Sequence, residues 1–222
     1  MVSVIAVESE CSLCGAHSEQ QLVVESVTTQ GLPDLDSRPS EPVRSSLPYW
    51  VQRCPHCGYC ATDISLEYPL ADKLVRNADY QKNLRKRSLP EKARQFLAWA
   101  LIQIANDEYG GAGWAAVHAA WVCDDAEIPR GAMECRKLAL ERFARQRANQ
   151  GHITGFEDPG VEELVLADLC RRTAQFAAAE HWVEAGLARR PAGVVVRALR
   201  MERDRAEQKN LFAHSVEEML DN

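Results

Sequence analysis

Four cysteines occur as two copies of a C-x-x-C-G motif, CSLCG at residues 11–15 and CPHCG at residues 54–58. A structural zinc ion takes four deprotonated soft ligands in a tetrahedron, and one C-x-x-C turn supplies only two of them. The glycine that ends each motif, Gly15 or Gly58, permits a left-handed backbone that folds amide groups back toward the sulfurs. Two such motifs on hairpins predict a zinc ribbon whose metal stabilises the fold and does no chemistry, because four protein ligands leave no open position. The predicted zinc ligands are Cys11, Cys14, Cys54 and Cys57.

The spacing between the two motifs is long. The 39 residues from 15 to 53 exceed the roughly 15 to 20 of common zinc-binding patterns. The excess is GLPDLDSRPSEPVRSSLP, residues 31–48, whose four prolines exclude a regular element. We expect an inserted loop, because the cost of loop closure grows slowly with length. Two other interpretations stay open: a pair of thiol turns without metal, and, less favoured, a redox C-x-x-C, which needs no second copy and usually opens a helix.

Cys60 is a fifth cysteine beside the second motif, and its role is open. It could replace Cys57 as a ligand, remain a thiol exposed to oxidation, or pack as a small apolar residue, which is the favoured interpretation. His17 or His56 could complete the ligand set if one cysteine did not. The sequence places three further cysteines on separate helices without ligand spacing, and we expect them to be packing residues: Cys123, Cys135 and Cys170.

The composition is that of an ordinary globular protein, with 46% apolar and 26% charged residues and a formal net charge of -6 over 222 residues. No apolar run approaches the roughly 20 residues of a membrane span, and MVSVIAVESE has neither a basic start nor a long apolar stretch. We therefore expect a cytoplasmic protein with no membrane partner. Its eight cysteines are expected to be reduced or bound to metal rather than paired in disulfides.

One segment reverses the acidic average of the chain. Residues 73–94 carry eight basic side chains against two acidic ones, a local charge of +6 that leaves -12 on the rest. Such a stripe could contact phosphates, and zinc ribbons often bind nucleic acid. Because the chain as a whole is acidic, a solvated helix face is favoured over a nucleic-acid surface.

The elements that must position these residues are short strands followed by helices. VSVIAV, QLVVESV and PYWVQ are β-branched or aromatic runs that predict strands. After a predicted capping box of Ser88 and Glu91, a helix is expected to end at YGGAG and to bury one face, which comprises Leu97, Ala100, Leu101, Ile104 and Ala105. Further helices are expected over residues 114–125, 129–151, 160–173, 176–190 and from 192. The predicted fold class is α+β, mostly α, with a zinc-ribbon-like module over residues 1–68 and a helical domain over residues 69–222.

Part of the helical domain fits the pattern of a tetratricopeptide repeat, in which paired antiparallel helices stack through small residues. The matching positions are Leu166, Ala167, Cys170, Phe176, Ala179, Val183 and Pro191. Glu163 stands where a tryptophan is usual, and a weaker copy of the pattern begins at Trp114. These two imperfect units predict a tetratricopeptide-like antiparallel bundle whose surface binds a protein or peptide partner.

Most of the chain resembles a bacterial family known as domain of unknown function 2225. The likeness rests on PYWVQRCPHCGYCATDIS at residues 48–65, on the first C-x-x-C-G motif, on the DLDSRP loop and on the helical half. Its sharpest part is W-V-Q-x-C-P-x-C-G-Y, from Trp50 to Tyr59. The resemblance implies a metal-binding double C-x-x-C module joined to tetratricopeptide-like helices, with no established activity. It also marks the cysteine at position 60 as a departure from the family pattern.

Asp34, Asp36 and Arg38 in PDLDSRP form the other candidate site. Carboxylate oxygens suit magnesium or calcium, but Asp and Pro populate loops because they cap turns, and an Asp36–Arg38 pair could simply pin the loop to the ribbon. No G-x-S-x-G, H-E-x-x-H or nucleotide-binding pattern occurs in the sequence. The sequence therefore favours a non-enzymatic zinc-binding adaptor or scaffold with a protein or peptide partner. The alternatives are a nucleic-acid-binding zinc ribbon that uses residues 73–94, and an enzyme or thiol sensor around Cys60 and the Asp34/Asp36 loop.

Overall fold

A computed structural model describes residues 2–24, 29–153 and 155–219. The fold is α+β and mostly α, as predicted: two small antiparallel sheets come first and helices follow. The chain divides into two compact units, one formed by residues 1–28 and 45–142 and the other by residues 29–44 and 143–222. The predicted module boundary at residues 68/69 falls inside the first of these units and stays a prediction.

The two sheets are hairpins. Strand β1, Val4–Glu10, pairs with β2, His17–Val23, so that Val4 lies opposite Val23. Strand β3, Gln52–Arg53, pairs with β4, Cys60–Ala61. The strand predicted at PYWVQ is wrong over most of its length, because residues 44–49 form a 3-10 helix that contains Pro48 and leaves only Gln52 to pair. The strand predicted at QLVVESV starts earlier than expected, and residues 25–27 of it lie outside the described part of the chain.

Two short helices follow the sheets, and the second of them packs on the first long helix. Helix α1 spans Ala71–Val75, α2 spans Ala78–Leu84 and α3 spans Glu91–Ala105. The Asn77 side chain accepts a hydrogen bond from the Asp79 amide and so caps α2. The capping box predicted for α3 is wrong, because Pro90 is the N-terminal cap and the Glu91 carboxylate instead accepts hydrogen bonds from Arg53 and Gln95.

The buried face of α3 differs from the predicted one. Phe96, Trp99 and Ile102 are buried, whereas Leu97 and Leu101 are only half-buried. Of the predicted face, Ala100 is the member that is buried. Helix α3 packs against α2, β4 and the next helix, so it is covered on more than one side and a single apolar stripe does not describe it.

Helix α4 spans Tyr109–Asp125 and packs antiparallel to α3. The prediction that YGGAG ends a helix is wrong, because these residues form the first turns of α4 and the connection lies at Asn106–Glu108. A Cβ atom on Gly111 would lie 1.8 Å from Gln103 Oε1 of α3. The glycines therefore permit the close approach of two helices rather than a break between them.

The remaining helices agree with prediction to within a few residues. They are α5, Pro129–Gln150, α6, Val161–Arg172, α7, Phe176–Ala188, and α8, Gly193–Glu207. Helices α6, α7 and α8 enclose the core of the second unit, which includes Leu164, Val183 and Leu199. Antiparallel helix pairs are present, while the tetratricopeptide assignment stays a prediction. Over the described residues, no helix combines the length and apolar character that a membrane crossing requires.

The Pro-rich loop is irregular over residues 31–43, as predicted, but the prediction is wrong for its last five residues, which belong to the 3-10 helix Arg44–Tyr49. Residues 31–44 of the loop are part of the second unit. The Leu35 amide donates to the His214 carbonyl oxygen at 2.9 Å, and the Val216 amide donates to the Pro33 carbonyl oxygen at 2.9 Å. The Leu35 side chain is 1% exposed within the core of that unit. Through Leu35, the loop therefore contributes to the hydrophobic core of the second unit.

Candidate metal centre

Each C-x-x-C motif is the turn of one hairpin. Cys11–Cys14 connects β1 to β2, and Cys54–Cys57 lies between β3 and β4. The glycine after each motif is left-handed, with φ of 67° at Gly15 and 83° at Gly58. The predicted role of both glycines is confirmed, because a residue with a Cβ atom would be strained in this conformation.

The two turns share one hydrogen-bond pattern. In the first, the Cys11 amide donates to the Ala16 carbonyl oxygen at 3.0 Å and the Gly15 amide donates to the Cys11 carbonyl oxygen at 2.8 Å. In the second, the Cys54 amide donates to the Tyr59 carbonyl oxygen at 2.8 Å and the Gly58 amide donates to the Cys54 carbonyl oxygen at 3.0 Å. The sequence repeat is thus a structural repeat, and each turn presents its two thiols in the same way.

The four thiols converge. Cys11 Sγ lies 3.7 Å from Cys57 Sγ, and Cys14 Sγ lies 3.6 Å from Cys54 Sγ. All four sulfurs lie within 4.8 Å of one another. A tetrahedron with metal–sulfur bonds of about 2.3 Å has edges of about 3.8 Å, close to these separations. The separations exceed the roughly 2 Å of a disulfide bond, and all four are free cysteines. The cluster can therefore hold a metal ion.

The electrostatics of the cluster favour a cation. Burial raises the pKa of the Cys11 and Cys57 thiols. Burial also opposes ionisation of Cys54, but hydrogen bonds from the Cys57 and His56 amides and from the neighbouring thiols bring its pKa below the ordinary value. Four thiolates this close together repel one another, so full deprotonation requires a positive ion among them.

Residues outside the motifs support the second turn. Gln81 Nε2 donates to the Cys57 carbonyl oxygen at 3.0 Å. The Tyr80 hydroxyl donates to the Gly58 carbonyl oxygen at 3.1 Å and accepts from the Cys60 amide at 3.1 Å. Leu84 packs so closely on Gly58 that a Cβ atom there would lie 2.9 Å from its Cδ1. Sequence reasoning missed this support, although the three α2 residues recur at helical spacing.

The first turn is held by the segment that follows β4. The Ser12 amide donates to the Ile64 carbonyl oxygen at 3.0 Å, and the Ser12 hydroxyl donates to the same oxygen at 3.1 Å. Gln20 Nε2 of β2 donates to the Arg53 carbonyl oxygen of β3 at 3.2 Å. These contacts join the two hairpins and fix the separation of their thiols.

Cys60 is a packing residue, as the favoured interpretation predicted. Its side chain is fully buried, its thiol donates to the Gly58 carbonyl oxygen at 3.4 Å, and burial raises its pKa to about 12. It lies outside the four-sulfur cluster. His56 is exposed, and exposed His17 lies 3.6 Å from Glu8, so neither imidazole joins the cluster.

Cys123, Cys135 and Cys170 are buried, as expected for packing residues. Sequence reasoning missed the proximity of the first two, which lie on consecutive helices. A hydrogen bond with Cys135 lowers the pKa of the Cys123 thiol and raises the pKa of Cys135. This dithiol is separate from the four-sulfur cluster.

Arginines occupy the carboxylates of the candidate loop site. Asp34 Oδ1 lies 2.7 Å from Arg44 Nη2, and Asp36 Oδ2 accepts from Arg172 of α6 at 3.3 Å. The Arg38 amide donates to Asp36 Oδ1 at 3.2 Å. Asp36 is thus tied to α6 of its own unit, and the prediction that an Asp36–Arg38 pair pins the loop to the ribbon stays a prediction. These guanidinium groups compete with any cation for the carboxylate oxygens.

The basic residues 73–94 do not form one continuous face. Lys92 Nζ donates to the Val51 carbonyl oxygen at 3.3 Å, and its burial lowers its pKa. Arg94 donates to the Leu84 carbonyl oxygen. Arg85 and Arg87, in contrast, are exposed. The predicted basic stripe is thus divided: Lys92 and Arg94 bind backbone carbonyl oxygens, whereas Arg85 and Arg87 are exposed to solvent.

The fold and the site define a mostly helical α+β protein with a four-cysteine cluster that can hold a metal ion. The chain matches no family model, and no curated protein and no solved structure is significantly similar to it. The likeness to domain of unknown function 2225 therefore stays a prediction. Function must be argued from the residues of this chain.

Proposed function

We propose that the protein is a zinc-binding adaptor or scaffold, in which a structural Zn²⁺ organises the hairpins and the helices engage a protein or peptide partner. The observation that carries the proposal is the convergence of Cys11, Cys14, Cys54 and Cys57 within 4.8 Å. Four thiolates suit Zn²⁺, which prefers soft ligands and a closed tetrahedron. The backbone amides turned toward the sulfurs stabilise the thiolate charge that zinc binding requires.

A structural rather than catalytic metal fits the ligand count. Four protein ligands fill the tetrahedron, and a catalytic zinc keeps one position for water or substrate. Zinc would hold the two hairpins together, since β3 and β4 are only two residues long each and such a ladder contributes little stability alone. Metal binding would therefore contribute directly to folding.

Metal analysis of the full chain, purified without added metal, tests the zinc assignment. We expect one zinc per chain, lost in Cys54→Ser and retained in Cys60→Ser. The two variants form a matched pair, because both cysteines are fully buried and only one is a predicted ligand. Iron in place of zinc, or equal zinc loss in both variants, would contradict the assignment.

The adaptor role rests on the stacked helices of the second unit. Helices α6, α7 and α8 pack consecutively, with the small residues Ala167, Ala179 and Gly186 buried between them. Surfaces of stacked helix pairs bind extended segments or helices of partner proteins. Affinity capture from the source cell tests this role, with heat-denatured chain as the control bait. We expect one partner to recur with the folded chain alone; repeated captures that return none would count against it.

The alternative of an enzyme or thiol sensor gains no support from the contacts around its residues. Cys60 is buried and its raised pKa keeps the thiol protonated near neutral pH. Asp34 and Asp36 are each held by an arginine. A reactive thiol needs a thiolate that reagents can reach, and a carboxylate catalyst needs an oxygen that faces substrate.

A further inference from the structure

Helix α2 ends in a group of exposed cations that we call the α2 basic cluster: Lys82, Arg85, Lys86 and Arg87. An open cavity of about 740 Å³ lies over part of it. The residues that line this cavity are Ala78, Gln81, Lys82, Asn83, Arg85 and Lys86. The lining thus combines three cations with two amides and contains no carboxylate.

The charge of the cluster is largely uncompensated by the protein. Lys86 Nζ lies 2.9 Å from Glu134 Oε2, but both side chains are about half exposed, and such a pair contributes little. Within the described chain, Lys82, Arg85 and Arg87 make no ion pair. A row of solvated cations of which Lys86 alone makes an ion pair, an exposed one, attracts anions and releases its counterions when it binds them.

The cluster is attached to the metal centre. Gln81 lines the cavity and also donates to the Cys57 carbonyl oxygen of the second turn at 3.0 Å. On the same helix, the Tyr80 hydroxyl donates to the Gly58 carbonyl oxygen and Leu84 packs on Gly58. Two contacts therefore position the basic side chains: the turn that holds Cys54 and Cys57, and helix α3, which packs on α2.

We propose that the α2 basic cluster binds the phosphate backbone of a nucleic acid, without base specificity, in a manner that depends on the metal centre. Four cations within six residues match a polymer of regularly spaced phosphates better than a single small anion, because none of them is buried in a convergent pocket. The cavity lining has no aromatic side chain for base stacking, so the contacts are to phosphates.

The same lining disfavours an acidic peptide or a membrane as the ligand. Protein interfaces are anchored by buried apolar or aromatic side chains, and Ala78 is the sole apolar residue of this lining. Peripheral membrane binding adds inserted apolar side chains to its cations. Leu84, the large apolar residue next to the cluster, is instead buried against the protein. The proposal does not depend on the protein partner of the adaptor role.

Fluorescence anisotropy with a labelled single-stranded oligonucleotide and the full zinc-loaded chain tests the proposal. We expect binding to neutralise about three phosphates. A plot of the logarithm of the association constant against the logarithm of the salt concentration should then have a slope of about -2. The variant Arg85→Glu/Lys86→Glu/Arg87→Glu should weaken binding at low salt by about tenfold or more, because three attractive contacts with phosphates become repulsive.

A matched control makes the same charge change elsewhere. Arg197, Arg200 and Lys209 are exposed in the second unit and none of them lines the cavity, so their triple reversal to Glu should change affinity by less than about twofold at moderate salt, which screens the change in overall charge. Both variants must retain zinc and the wild-type melting temperature. Removal of zinc by a chelator should weaken binding as the α2 reversal does.

Four results would overturn the proposal: no binding at low salt, equal loss in the control reversal, binding unchanged after zinc removal, or equal affinity for polyglutamate or for anionic lipid vesicles. If affinity capture finds no protein partner, the oligonucleotide result does not change, so the tests of the two functions are independent. A wild-type zinc content in the α2 variant likewise separates this test from the metal assignment.

Discussion

Replacement of Glu202 by Gln should change how the stability of the protein depends on pH. Glu202 of α8 is fully buried and accepts from Arg171 Nε at 2.9 Å, while Asp168 of α6 accepts from Arg171 Nη2 at 2.6 Å. One guanidinium thus faces two buried carboxylates. Burial, together with the charge of Asp168, raises the pKa of Glu202 to about 8. Glu202 is therefore protonated in the folded protein at neutral pH, where it is ionised in the unfolded chain.

The sign and the size of the effect follow from this raised pKa. A carboxyl whose folded-state pKa lies above its unfolded value stabilises the fold fully below about pH 4.5, and this stabilisation is lost as the pH rises toward about 8. At pH 7, about 2.5 pH units above the unfolded pKa, protonating Glu202 costs roughly 3 kcal/mol. Gln carries no such cost, and its amide can donate to the buried Asp168 Oδ2 in place of the protonated Glu202 carboxyl.

Urea denaturation followed by circular dichroism, at several pH values between about 5 and 8, measures the difference in unfolding free energy between the Glu202→Gln variant and the wild type. As the pH rises, the unfolding free energy of the variant should increase relative to that of the wild type by up to about 1.4 kcal/mol per pH unit. Glu207→Gln, on the same helix but exposed, is the control and should show no such trend. A difference that stays within about 0.5 kcal/mol over the whole range would refute the argument.

Two further substitutions test contacts within the second unit and within the first unit, respectively. Gly186→Ala in α7 places a Cβ atom 2.9 Å from Leu199 Cδ2, so overpacking of about 1 to 3 kcal/mol should exceed the gain in helix propensity and lower the melting temperature. Gly193→Ala, where a Cβ atom meets nothing closer than 3.9 Å, should leave the melting temperature unchanged or raise it; a lower value for both variants would contradict the packing argument. Tyr80→Phe removes the hydroxyl that donates to Gly58, and should cost about 1 to 3 kcal/mol and speed zinc loss to a chelator.

The metal-site geometry could be predicted from the sequence because it is local. The spacing of each C-x-x-C-G motif determines a turn in which both thiols lie on the same side, and Gly15 and Gly58 have the left-handed backbone that the motif requires. Pairing the two turns needed only the argument that one motif cannot fill a tetrahedron. The long-range contacts that hold the turns in place, such as the one from Gln81 to Cys57, have no comparable signal in the sequence.

The errors in the helical part arose where packing is decided by distant residues. The periodicity of α3 predicted a helix correctly, but it could not show that α2 and β4 also cover it, so that Phe96 and Trp99 are buried in addition to Ala100. The glycines at 110 and 111 were interpreted as a break because glycine lowers helix propensity. A Cβ atom on Gly111 would lie against the Gln103 side chain, so close packing outweighs propensity there.

The Pro-rich loop between the motifs is another place where a long-range contact was not predicted, although one residue of its sequence indicated it. Its prolines predicted the irregular structure of residues 31–43, but not that these residues belong to the second unit. The signal was Leu35, a large apolar residue placed directly between two aspartates. Its side chain is buried in the core of the second unit and Asp36 pairs with Arg172 of α6, so one apolar and one ionic contact anchor the loop, whereas Asp34 pairs with Arg44 inside the loop.

The metal centre and the α2 basic cluster are coupled through backbone atoms rather than through side-chain chemistry. The carbonyl oxygens of Cys57 and Gly58 accept hydrogen bonds from Gln81 and Tyr80, and these oxygens point correctly only while the turn keeps its metal-binding conformation. The two-residue strands on either side of the turn cannot enforce that conformation alone. Because zinc binding supplies folding free energy of about 10 to 16 kcal/mol in small structural sites, metal loss would weaken the contacts of the turn with α2 and leave α2 held chiefly by α3. A structural zinc ion would then influence the position of exposed cations that it does not touch.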